Sequence, residues 1–301
     1  MSAVHPVSPA WVAVDWGTSN LRAFAMDAQG AVLAEARSDA GMGSLAPKAF
    51  EGALRDVLAQ WHLPVPCTVV ACGMVGSRQG WFEAPYRAVP CAARASGAVR
   101  VPDCGEDLQV YLLPGVKQMQ PADVMRGEET QIAGFLSLNR DWDGVICLPG
   151  SHSKWVHVSA GEIVSFRTCM TGELFAAISG HTVLKHSLGS EDWDASAFET
   201  ALSETLSRPE TLAGRLFSLR AAGLLHGLSG GAARAALSGA LIGAELAACK
   251  PYWLGQRVAL IGAGALCELY AGALQAQSVI CECADVTDVT RAGLASAYAN
   301  L

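Results

Sequence analysis

The chain has 301 residues, with 21 basic and 28 acidic side chains and a formal net charge of −7 at pH 7. This length can bury two domains' worth of core, while the lack of basic runs and of long apolar runs argues against nucleic acid and membrane as partners. The first residues lack the features of an export signal and the 10 cysteines form no paired CxxC motif, so we expect reduced thiols in a cytoplasmic protein.

Three short strands joined by turns are the first predicted elements, over 12–14, 22–26 and 32–35. The first strand runs into Asp15, and the turn Gly17-Thr18-Ser19-Asn20 follows. Backbone N–H groups and short polar side chains at the end of a buried strand can cradle a phosphate, and a carboxylate beside them can hold Mg²⁺. The alternative interpretation is an ordinary hairpin with a polar turn.

The middle of the chain alternates between helix and strand patterns. We predict a helix over 47–61, strands over 68–72 and 110–113, a polar turn from 121 and a helix from about 127 to 138. A glycine-rich stretch, 73–78, follows the strand at 68–72.

A second set of three strands, over 144–166, repeats the layout of the first. Gly150 falls on Gly17, Ser151 falls on Thr18, and a glycine turn at Gly161 corresponds to the first set's later turn. The repeat predicts two similar lobes that face one another across a cleft, each with one phosphate turn. We place the boundary so that the domains are 1–120 and 121–301.

The rest of the chain continues the alternation, which implies α/β layers. We predict a helix over 171–179, a polar surface insertion over 189–207, helices over 212–226, 232–249 and 265–276, strands over 258–261 and 279–283, and a final helix.

Six strings spread along the chain carry a family resemblance. They are VDWGTSNLRA (14–23), GMVGSRQGW (73–81), VMRGEETQ (124–131), LPGSHSKW (148–155), FRTCMTGELF (166–175) and SGALIGAE (238–245). In this order they resemble the sugar-kinase/actin/hexokinase superfamily and, within it, the sugar-acid kinase family of 2-dehydro-3-deoxygalactonokinases.

The resemblance implies an α/β fold of two actin/hexokinase-like (ribonuclease-H-like) lobes with mixed central sheets and an interlobe cleft. It implies transfer of the ATP γ-phosphate to the 6-hydroxyl of 2-dehydro-3-deoxy-D-galactonate in galactonate catabolism, with ATP and Mg²⁺ as cofactors. The first lobe would carry the first phosphate turn and the sugar-acid site, and the second lobe would carry the second turn and the adenosine site.

The resemblance also implies roles for the two turns. Asp15 would position Mg²⁺, and Gly17, Thr18, Ser19 and Asn20 would hold the β- and γ-phosphates. The second turn, Gly150, Ser151, His152 and Lys154, would close on the same phosphates. Lys154 could supply charge there or could be a surface lysine.

The general base must come from outside the second turn, because Leu148 occupies the place that corresponds to Asp15. Glu128 and Glu129 open the helix that links the predicted lobes. Neighbouring helical residues point about 100° apart, so we expect one of the two to reach the cleft, with Glu128 slightly favoured and Glu173 in reserve. The alternative is favourable charge at a helix N-terminus, worth about 0.3–1 kcal/mol.

A keto-acid acceptor requires a site with at least one arginine, since a guanidinium binds a carboxylate through two hydrogen bonds. We rank Arg78 and Arg167 above Arg126 for this role. The further substrate-binding candidates are Gly43, Ser77, Trp81, Thr171 and Glu173. For the nucleoside, Gly262 and Gly264 let the backbone approach a ribose or phosphate, and the helix with Gly239, Gly243 and Glu245 forms the other wall.

Other classes of function fit less well. Gly262-x-Gly264 with Glu282 imitates a dinucleotide fingerprint, but Cys267 stands where a small residue belongs and too little chain follows for a Rossmann sheet. A serine hydrolase built on Ser151 lacks the GxSxG turn. The alternatives kept open are a kinase for the epimeric 2-dehydro-3-deoxygluconate and a non-catalytic actin-like sensor, and a homodimer is possible.

Overall fold

The structure is a computed structural model that describes residues 7–102, 104–189, 192–262 and 264–301. The chain divides into two compact units. Unit 1 comprises Met1–Asp143, Val158–Ser165 and Ala284–Leu301, and unit 2 comprises Gly144–His157 and Phe166–Cys283. This division differs from the predicted boundary between residues 120 and 121.

The difference arises because two helices from opposite ends of the chain pack together in unit 1. Helix α2 (Glu128–Leu138), predicted to belong to the second domain, lies against α9 (Val286–Tyr298). Glycines allow the backbones to touch: a Cβ added to Gly134 would lie 1.8 Å from the Val289 carbonyl oxygen. Any larger residue at that position would force the helices apart.

The main sheet of unit 1 is mixed. Its strands follow the order β3-β2-β1-β4-β8-β7, in which β1 pairs antiparallel with β2 and parallel with β4. The strands are β1 (Trp11–Trp16), β2 (Leu21–Met26), β3 (Val32–Ser38), β4 (Cys67–Cys72), β7 (Val99–Arg100) and β8 (Leu108–Leu112), and helix α1 (Phe50–Leu58) precedes β4.

A second, smaller sheet of unit 1 was not expected from the sequence. It has the order β10-β9-β5, with β5 (Tyr86–Ala88), β9 (Gly115–Met119) and β10 (Ala122–Met125). The prediction of a polar turn from 121 missed β10, since four residues are too few to show a period. Strand β6 (Cys91–Ala92) is shorter still and pairs with Glu162 and Ile163.

Unit 2 holds the parallel strands β11 and β14 and parts of β12, β13 and β15, in the order β15-β14-β11-β12-β13. Residues 158–165 and 284–285 of these strands belong to unit 1. The strands are β11 (Gly144–Leu148), β12 (Ser153–Ser159), β13 (Glu162–Cys169), β14 (Val258–Gly262) and β15 (Cys281–Asp285). The helices are α3 (Thr171–His181), α4 (Ala195–Ser207), α5 (Leu212–His226), α6 (Gly230–Ala248), α7 (Lys250–Trp253) and α8 (Gly264–Gln275). In the described part of the chain, we find no helix with both the length and the apolarity needed to cross a membrane.

The two predicted sets of three strands are present, and both of their later turns use a glycine with positive φ. Gly30 has φ +86° and Gly161 has φ +75°, a region that favours glycine. The alternation of side chains along β1 buries both faces of the sheet: Val12 and Val14 enter one core and Ala13 enters another. Asp15 follows on the same face as Ala13, towards α2 and α9.

The prediction of a surface insertion over 189–207 is wrong for the described part of that range. Helix α4 buries Phe198 and Leu202 against α6. Gly239 and Gly243 let the two helices approach closely, since a Cβ added to Gly239 would lie 2.2 Å from the Phe198 carbonyl oxygen. The buried apolar stripe of α4 was not recognised in the sequence, because most of the residues between its members are polar.

Candidate functional site

In unit 1 the turn after β1 is closed and supported by backbone hydrogen bonds. The Gly17 amide donates to the Asn20 carbonyl at 2.9 Å, and the Gly43 amide donates to the Thr18 carbonyl at 2.9 Å. A Cβ added to Gly41 would lie 2.2 Å from the Ser19 carbonyl carbon. The predicted substrate residue Gly43 therefore belongs to a loop that supports the first turn.

Asp15 lies at the carboxyl end of β1 with its side chain 20% exposed. Its Oδ2 accepts a hydrogen bond from Arg22 Nη2 at 2.6 Å, and its Oδ1 lies 3.9 Å from the Cys72 thiol. Arg22 is also held by the Thr287 hydroxyl at 3.3 Å. Among the described residues, Oδ1 thus has a weak sulfur donor as its partner and keeps lone pairs for another ligand.

A cavity of about 640 Å³ opens beside this turn. Its lining residues are Asp15, Gly17, Thr18, Ser19, Asn20, Leu21, Arg22, Arg37, Ser38 and Asp39. Asp15, Arg22 and Arg37 are cross-strand neighbours on β1, β2 and β3. The two arginines were not predicted to belong to the site, although the strand register places them beside Asp15. Two guanidinium groups next to a turn of backbone donors fit an anionic ligand.

The two predicted glutamates occupy the first turn of α2 in the same unit. Glu129 is 3% exposed and its Oε2 accepts from the Gly127 amide at 2.7 Å. Burial, and then the charge of Glu128, raise the pKa of Glu129 from 4.5 to about 8. Glu128 is less buried, and its Oε2 accepts from the Arg126 amide at 3.0 Å.

Cys72 connects this helix turn to Asp15. Burial raises the pKa of its thiol well above 9.0, and the charges of Asp15 and Glu129 add to that increase. Both carboxylates therefore lie close to the end of β4, where β1 and β4 run parallel. The structure brings together the predicted residues Asp15 and Glu129 within unit 1.

The glycine-rich stretch after β4 places its predicted substrate residues in three different environments. Ser77 is 4% exposed, whereas Arg78 is exposed. Trp81 is half-buried in the core, with its ring centroid 6.0 Å from that of Trp16 and 6.3 Å from that of Phe50. Of these three residues, Arg78 has the most accessible side chain.

In unit 2 the turn between β11 and β12 is packed against the start of α3. The Glu173 amide donates to the Ser151 carbonyl at 3.0 Å, and a Cβ added to Gly172 would lie 2.5 Å from the Gly150 carbonyl oxygen. His152 Nε2 and Glu173 Oε2 are 2.5 Å apart, with both side chains about half exposed. The predicted residues Gly150, Ser151, His152 and Glu173 are therefore neighbours.

Two cationic residues predicted to act on ligands in this unit have contacts with backbone carbonyls. Lys154 is 4% exposed and its Nζ donates to the His152 carbonyl at 2.9 Å, so the surface-lysine alternative is wrong. Arg167 donates to the Ala248 carbonyl at the end of α6, where a cation is favourable to the helix dipole. The structure therefore gives both side chains a local structural partner.

A buried carboxylate, Glu245 of α6, lies under the second turn. It is 4% exposed and accepts hydrogen bonds from Trp155 Nε1 at 2.8 Å, from Tyr270 Oη at 2.7 Å and from the Thr171 hydroxyl. Burial raises the pKa of Glu245, and the donors oppose that increase. Glu245 was predicted to lie on a nucleoside-binding wall, and its hydrogen bonds were not predicted, because the donors come from three distant segments.

A cavity of about 270 Å³ lies next to this carboxylate. Its lining residues are Gly150, Thr171, Gly172, Phe175, Trp193, Arg234, Ser238, Leu241, Ile242, Leu266, Leu269 and Tyr270. Helices α6 and α8 line this cavity, as predicted for the nucleoside site, but the lining residues differ from the glycines that were predicted. Gly239 and Gly243 face α4, and the lining does not include Gly262 or Gly264.

Comparison with known proteins assigns the family. Residues 15–297 match the model of the 2-keto-3-deoxy-galactonokinase family. The chain is 41% identical over 295 residues to the probable 2-dehydro-3-deoxygalactonokinase of Rhizobium meliloti (strain 1021), covering 95% of this chain and 96% of that protein. It is 36% identical over 270 residues to the 2-dehydro-3-deoxygalactonokinase of Escherichia coli (strain K12), covering 88% and 89%. The chain belongs to the 2-keto-3-deoxy-galactonokinase family, and the predicted membership is confirmed.

Solved structures agree on the fold. A crystal structure of a 2-dehydro-3-deoxygalactonokinase-type protein from Sinorhizobium meliloti matches with a TM-score of 0.88 and 42% identity, over 96% of this chain and 95% of that one. The activator of 2-hydroxyisocaproyl-CoA dehydratase from Clostridium difficile matches with a TM-score of 0.51 and 13% identity, over 96% and 93%. The predicted α/β fold class with mixed sheets is confirmed.

Proposed function

We propose that the protein transfers the γ-phosphate of ATP to the 6-hydroxyl of 2-dehydro-3-deoxy-D-galactonate, giving the 6-phosphate and ADP. The observation that carries this proposal is family membership across 15–297, which spans both turns and both cavities. Asp15 beside a turn of backbone donors is the arrangement that phosphoryl transfer needs, since positioning and charge stabilisation dominate that reaction.

Unit 1 would hold the phosphates and Mg²⁺. Within the described residues no group of three His, Cys, Asp or Glu side chains could bind a metal by itself. Asp15, half-buried with lone pairs left on Oδ1, fits Mg²⁺, which is commonly bound by one or two carboxylates together with substrate phosphates. The bound ion would neutralise charge on the transferring phosphoryl group. The Thr18, Ser19 and Asn20 amides of the turn would donate to phosphate oxygens, while the Gly17 amide keeps its hydrogen bond to the Asn20 carbonyl. Arg22 would supply positive charge beside the phosphate oxygens.

The general base would be one of the two glutamates of α2. A general base must have an accessible, ionised carboxylate. Glu128 is the more exposed of the pair, whereas Glu129 is buried with a pKa of about 8. These facts support Glu128 as the base and Glu129 as the residue that shapes the helix turn below it.

Unit 2 would bind the rest of the nucleotide. Its turn, Gly150–Lys154, would supply backbone donors to phosphate oxygens, other than the Gly150 amide, which donates to Ser153 Oγ. The cavity between α6 and α8 is largely apolar, as a nucleoside pocket requires. The Arg234 guanidinium lies 5.0 Å above the Phe175 ring in this cavity, so both present flat faces on which a purine could stack.

The sugar acid would bind through Arg78, the more exposed of the two favoured arginines. Arg167 already donates to the Ala248 carbonyl and would have to leave that contact to bind a carboxylate. Gly43, Ser77, Trp81, Thr171 and Glu173 remain predicted substrate residues, and no contact described above assigns them a ligand.

The test is a coupled assay of ADP formation with ATP, MgCl₂ and either 2-dehydro-3-deoxygalactonate or its gluconate epimer. We expect kcat/KM for the galacto acid to exceed that for the epimer by about tenfold or more, because a site that hydrogen-bonds a hydroxyl discriminates against its misplacement. The position of the phosphate is read by NMR of the product, and chelation of Mg²⁺ is expected to abolish turnover. A higher kcat/KM for the gluconate epimer would contradict the proposed substrate but not the proposed kinase activity. Nucleotide binding without turnover of either acid would instead support a non-catalytic sensor.

A further inference from the structure

We propose that Glu245 is the positioning residue of unit 2, which holds the Gly150–Lys154 turn and the first turn of α3 in the geometry that binds nucleotide phosphates. The proposal rests on the proposed kinase function and adds a residue whose own atoms do not touch the ligand. The observation behind the proposal is that side chains from β12, α3 and α8 all donate hydrogen bonds to one carboxylate of α6.

The carboxylate is a hydrogen-bond acceptor for three donors. Trp155 Nε1 lies 2.8 Å from Oε1, while Tyr270 Oη lies 2.7 Å from Oε2, which also accepts from the Thr171 hydroxyl. An ionised carboxylate has only acceptor sites, so it fixes the direction of every one of these bonds. The Trp155 indole can only donate, so Oε1 accepts from it, and an ionised Oε2 accepts from both hydroxyls.

The direction of these bonds propagates into the second turn. Because Tyr270 donates its proton to Glu245, Ser153 Oγ, 3.1 Å from Tyr270 Oη, must be the donor in that pair. Ser153 Oγ then keeps its lone pairs for the Gly150 amide at 3.4 Å. A chain of hydrogen bonds thus runs from the Gly150 amide through Ser153 and Tyr270 to Glu245.

A second branch fixes the start of α3. Thr171 donates to Glu245, so its hydroxyl proton is not available to an anionic ligand. The next residue, Gly172, allows the Gly150 carbonyl to pass within 2.5 Å of where a Cβ would lie, and the Glu173 amide donates to the Ser151 carbonyl. One carboxylate therefore holds both sides of the turn. The role inferred here for Thr171 is a supporting one, and its contact with substrate stays a prediction.

Its burial argues that Glu245 has a specific role rather than a general stabilising one. A buried charge costs free energy even when it is hydrogen-bonded, and apolar replacements are often no less stable. Trp155, Tyr270 and Thr171 could be replaced by apolar side chains of similar shape in an ordinary core. A charge retained at this position instead fixes one arrangement of the turn, which is the requirement for preorganised phosphate binding.

The experiment measures the affinity for AMP-PNP with Mg²⁺ by calorimetry, the KM values for ATP and for the sugar acid, and hydrogen exchange of peptides 149–156 and 170–176. For Glu245→Gln we expect AMP-PNP affinity to fall and the KM for ATP to rise about five- to tenfold, the loss typical of one net hydrogen bond. The KM for the sugar acid should stay within about twofold, and exchange should increase in those two peptides but not in 11–26 of unit 1.

Variants that each remove one of the donors to Glu245 provide a second test, in case Glu245→Gln does not fold. Thr171→Val and Tyr270→Phe each remove one hydroxyl and should each give part of the Glu245→Gln effect. The matched control is Thr205→Val, which removes another fully buried hydroxyl of unit 2, one that has no hydrogen-bond partner in the described structure. It should leave affinity and exchange unchanged.

Two outcomes would overturn the inference. One is a lower melting temperature for Glu245→Gln with unchanged AMP-PNP affinity and unchanged exchange at the turn, which would show a merely structural role. The other is an equal rise of both KM values. If the wild-type protein binds AMP-PNP but phosphorylates neither acid, the proposed kinase activity is wrong. The AMP-PNP affinity and the hydrogen exchange of the Glu245→Gln variant would still test the role of Glu245.

Discussion

The two turns at the ends of β1 and β11 have the same layout in sequence but carry their negative charge in different places. In unit 1 the carboxylate is Asp15, at the end of the strand and on the wall of a cavity. In unit 2 the corresponding residue is Leu148, and the carboxylate is Glu245, which comes from a helix and is buried below the turn.

The residues at the start of the second strands differ in the same sense. Arg22 pairs with Asp15 in unit 1, whereas Trp155, in the corresponding position, donates to Glu245 in unit 2. A charge on a cavity wall is available to a cation or a ligand, while a charge surrounded by donors can only hold those donors. The same hairpin layout can therefore support either a carboxylate that contacts a ligand or one that positions its neighbours.

The largest expected effect comes from removing the half-buried carboxylate on the cavity wall of unit 1. Asp15→Asn should lower kcat/KM for the sugar acid by at least about a hundredfold, since a group that stabilises transition-state charge is worth that much. Steady-state kinetics measure it, with Asp56→Asn on the exposed face of α1 as the control. If kcat/KM of Asp15→Asn falls by less than tenfold, Asp15 does not act on the ligand in the way proposed, and it cannot be distinguished from Glu245 on that ground.

The second largest effect is expected from glycine substitutions in the segments that pack against each turn. Gly172→Ala and Gly41→Ala would each place a Cβ within 2.5 Å of turn backbone, so we expect each to lower stability by about 1–3 kcal/mol and to weaken nucleotide binding. Gly180→Ala on α3 and Gly52→Ala on α1 are the matched controls, because a Cβ there meets nothing within 4 Å.

Urea unfolding and AMP-PNP titration measure the glycine variants. The controls should be neutral or slightly stabilising, because alanine is the better helix former. If Gly172→Ala behaves like Gly180→Ala, the turn of unit 2 is not fixed by its contact with α3.

The buried carboxylate of unit 1 predicts a pH dependence of stability. Glu129 has a pKa raised from 4.5 to about 8, so the folded state binds more protons than the unfolded state between those values. Its stabilising contribution is present below pH 4.5 and is lost as the pH rises through 8. The free energy of unfolding of wild type should therefore fall relative to Glu129→Gln over this range, by on the order of 1–4 kcal/mol.

Unfolding by urea at pH 5, 6.5 and 8 measures this difference. Glu128→Gln removes the neighbouring charge and should reduce the slope in part. Equal slopes for wild type and Glu129→Gln would mean that the Glu129 carboxyl is ionised throughout.

The smallest effect is expected at the exposed ion pair of unit 2. His152 and Glu173 are each about half exposed, and such pairs contribute about 0–1 kcal/mol. Glu173→Gln should change the melting temperature little and leave the KM for the sugar acid within about twofold, because an anionic side chain disfavours an anionic substrate. A tenfold rise in that KM would place Glu173 in the substrate site.

Most of the elements follow from local sequence patterns. The β1–β2 turn, the repeat at β11–β12 and the helix beginning at Glu128 are present within a few residues of their predicted bounds. Strand β10 and helix α4 were missed, because four residues show no period and because the apolar stripe of α4 is interrupted by polar residues.

The sequence alone thus determined the two hairpins, their turns and the carboxylate Asp15, since strand alternation, glycine turns and neighbouring residues are properties of short segments. Only the tertiary structure decided that Arg22 and Arg37 line the cavity beside Asp15, that α2 packs against α9, and that Glu245 supports the second turn. Its donors, Trp155, Thr171 and Tyr270, are up to 90 residues away along the chain. No local pattern encodes such convergence, because it arises when the core of the unit forms and buries one carboxylate among them.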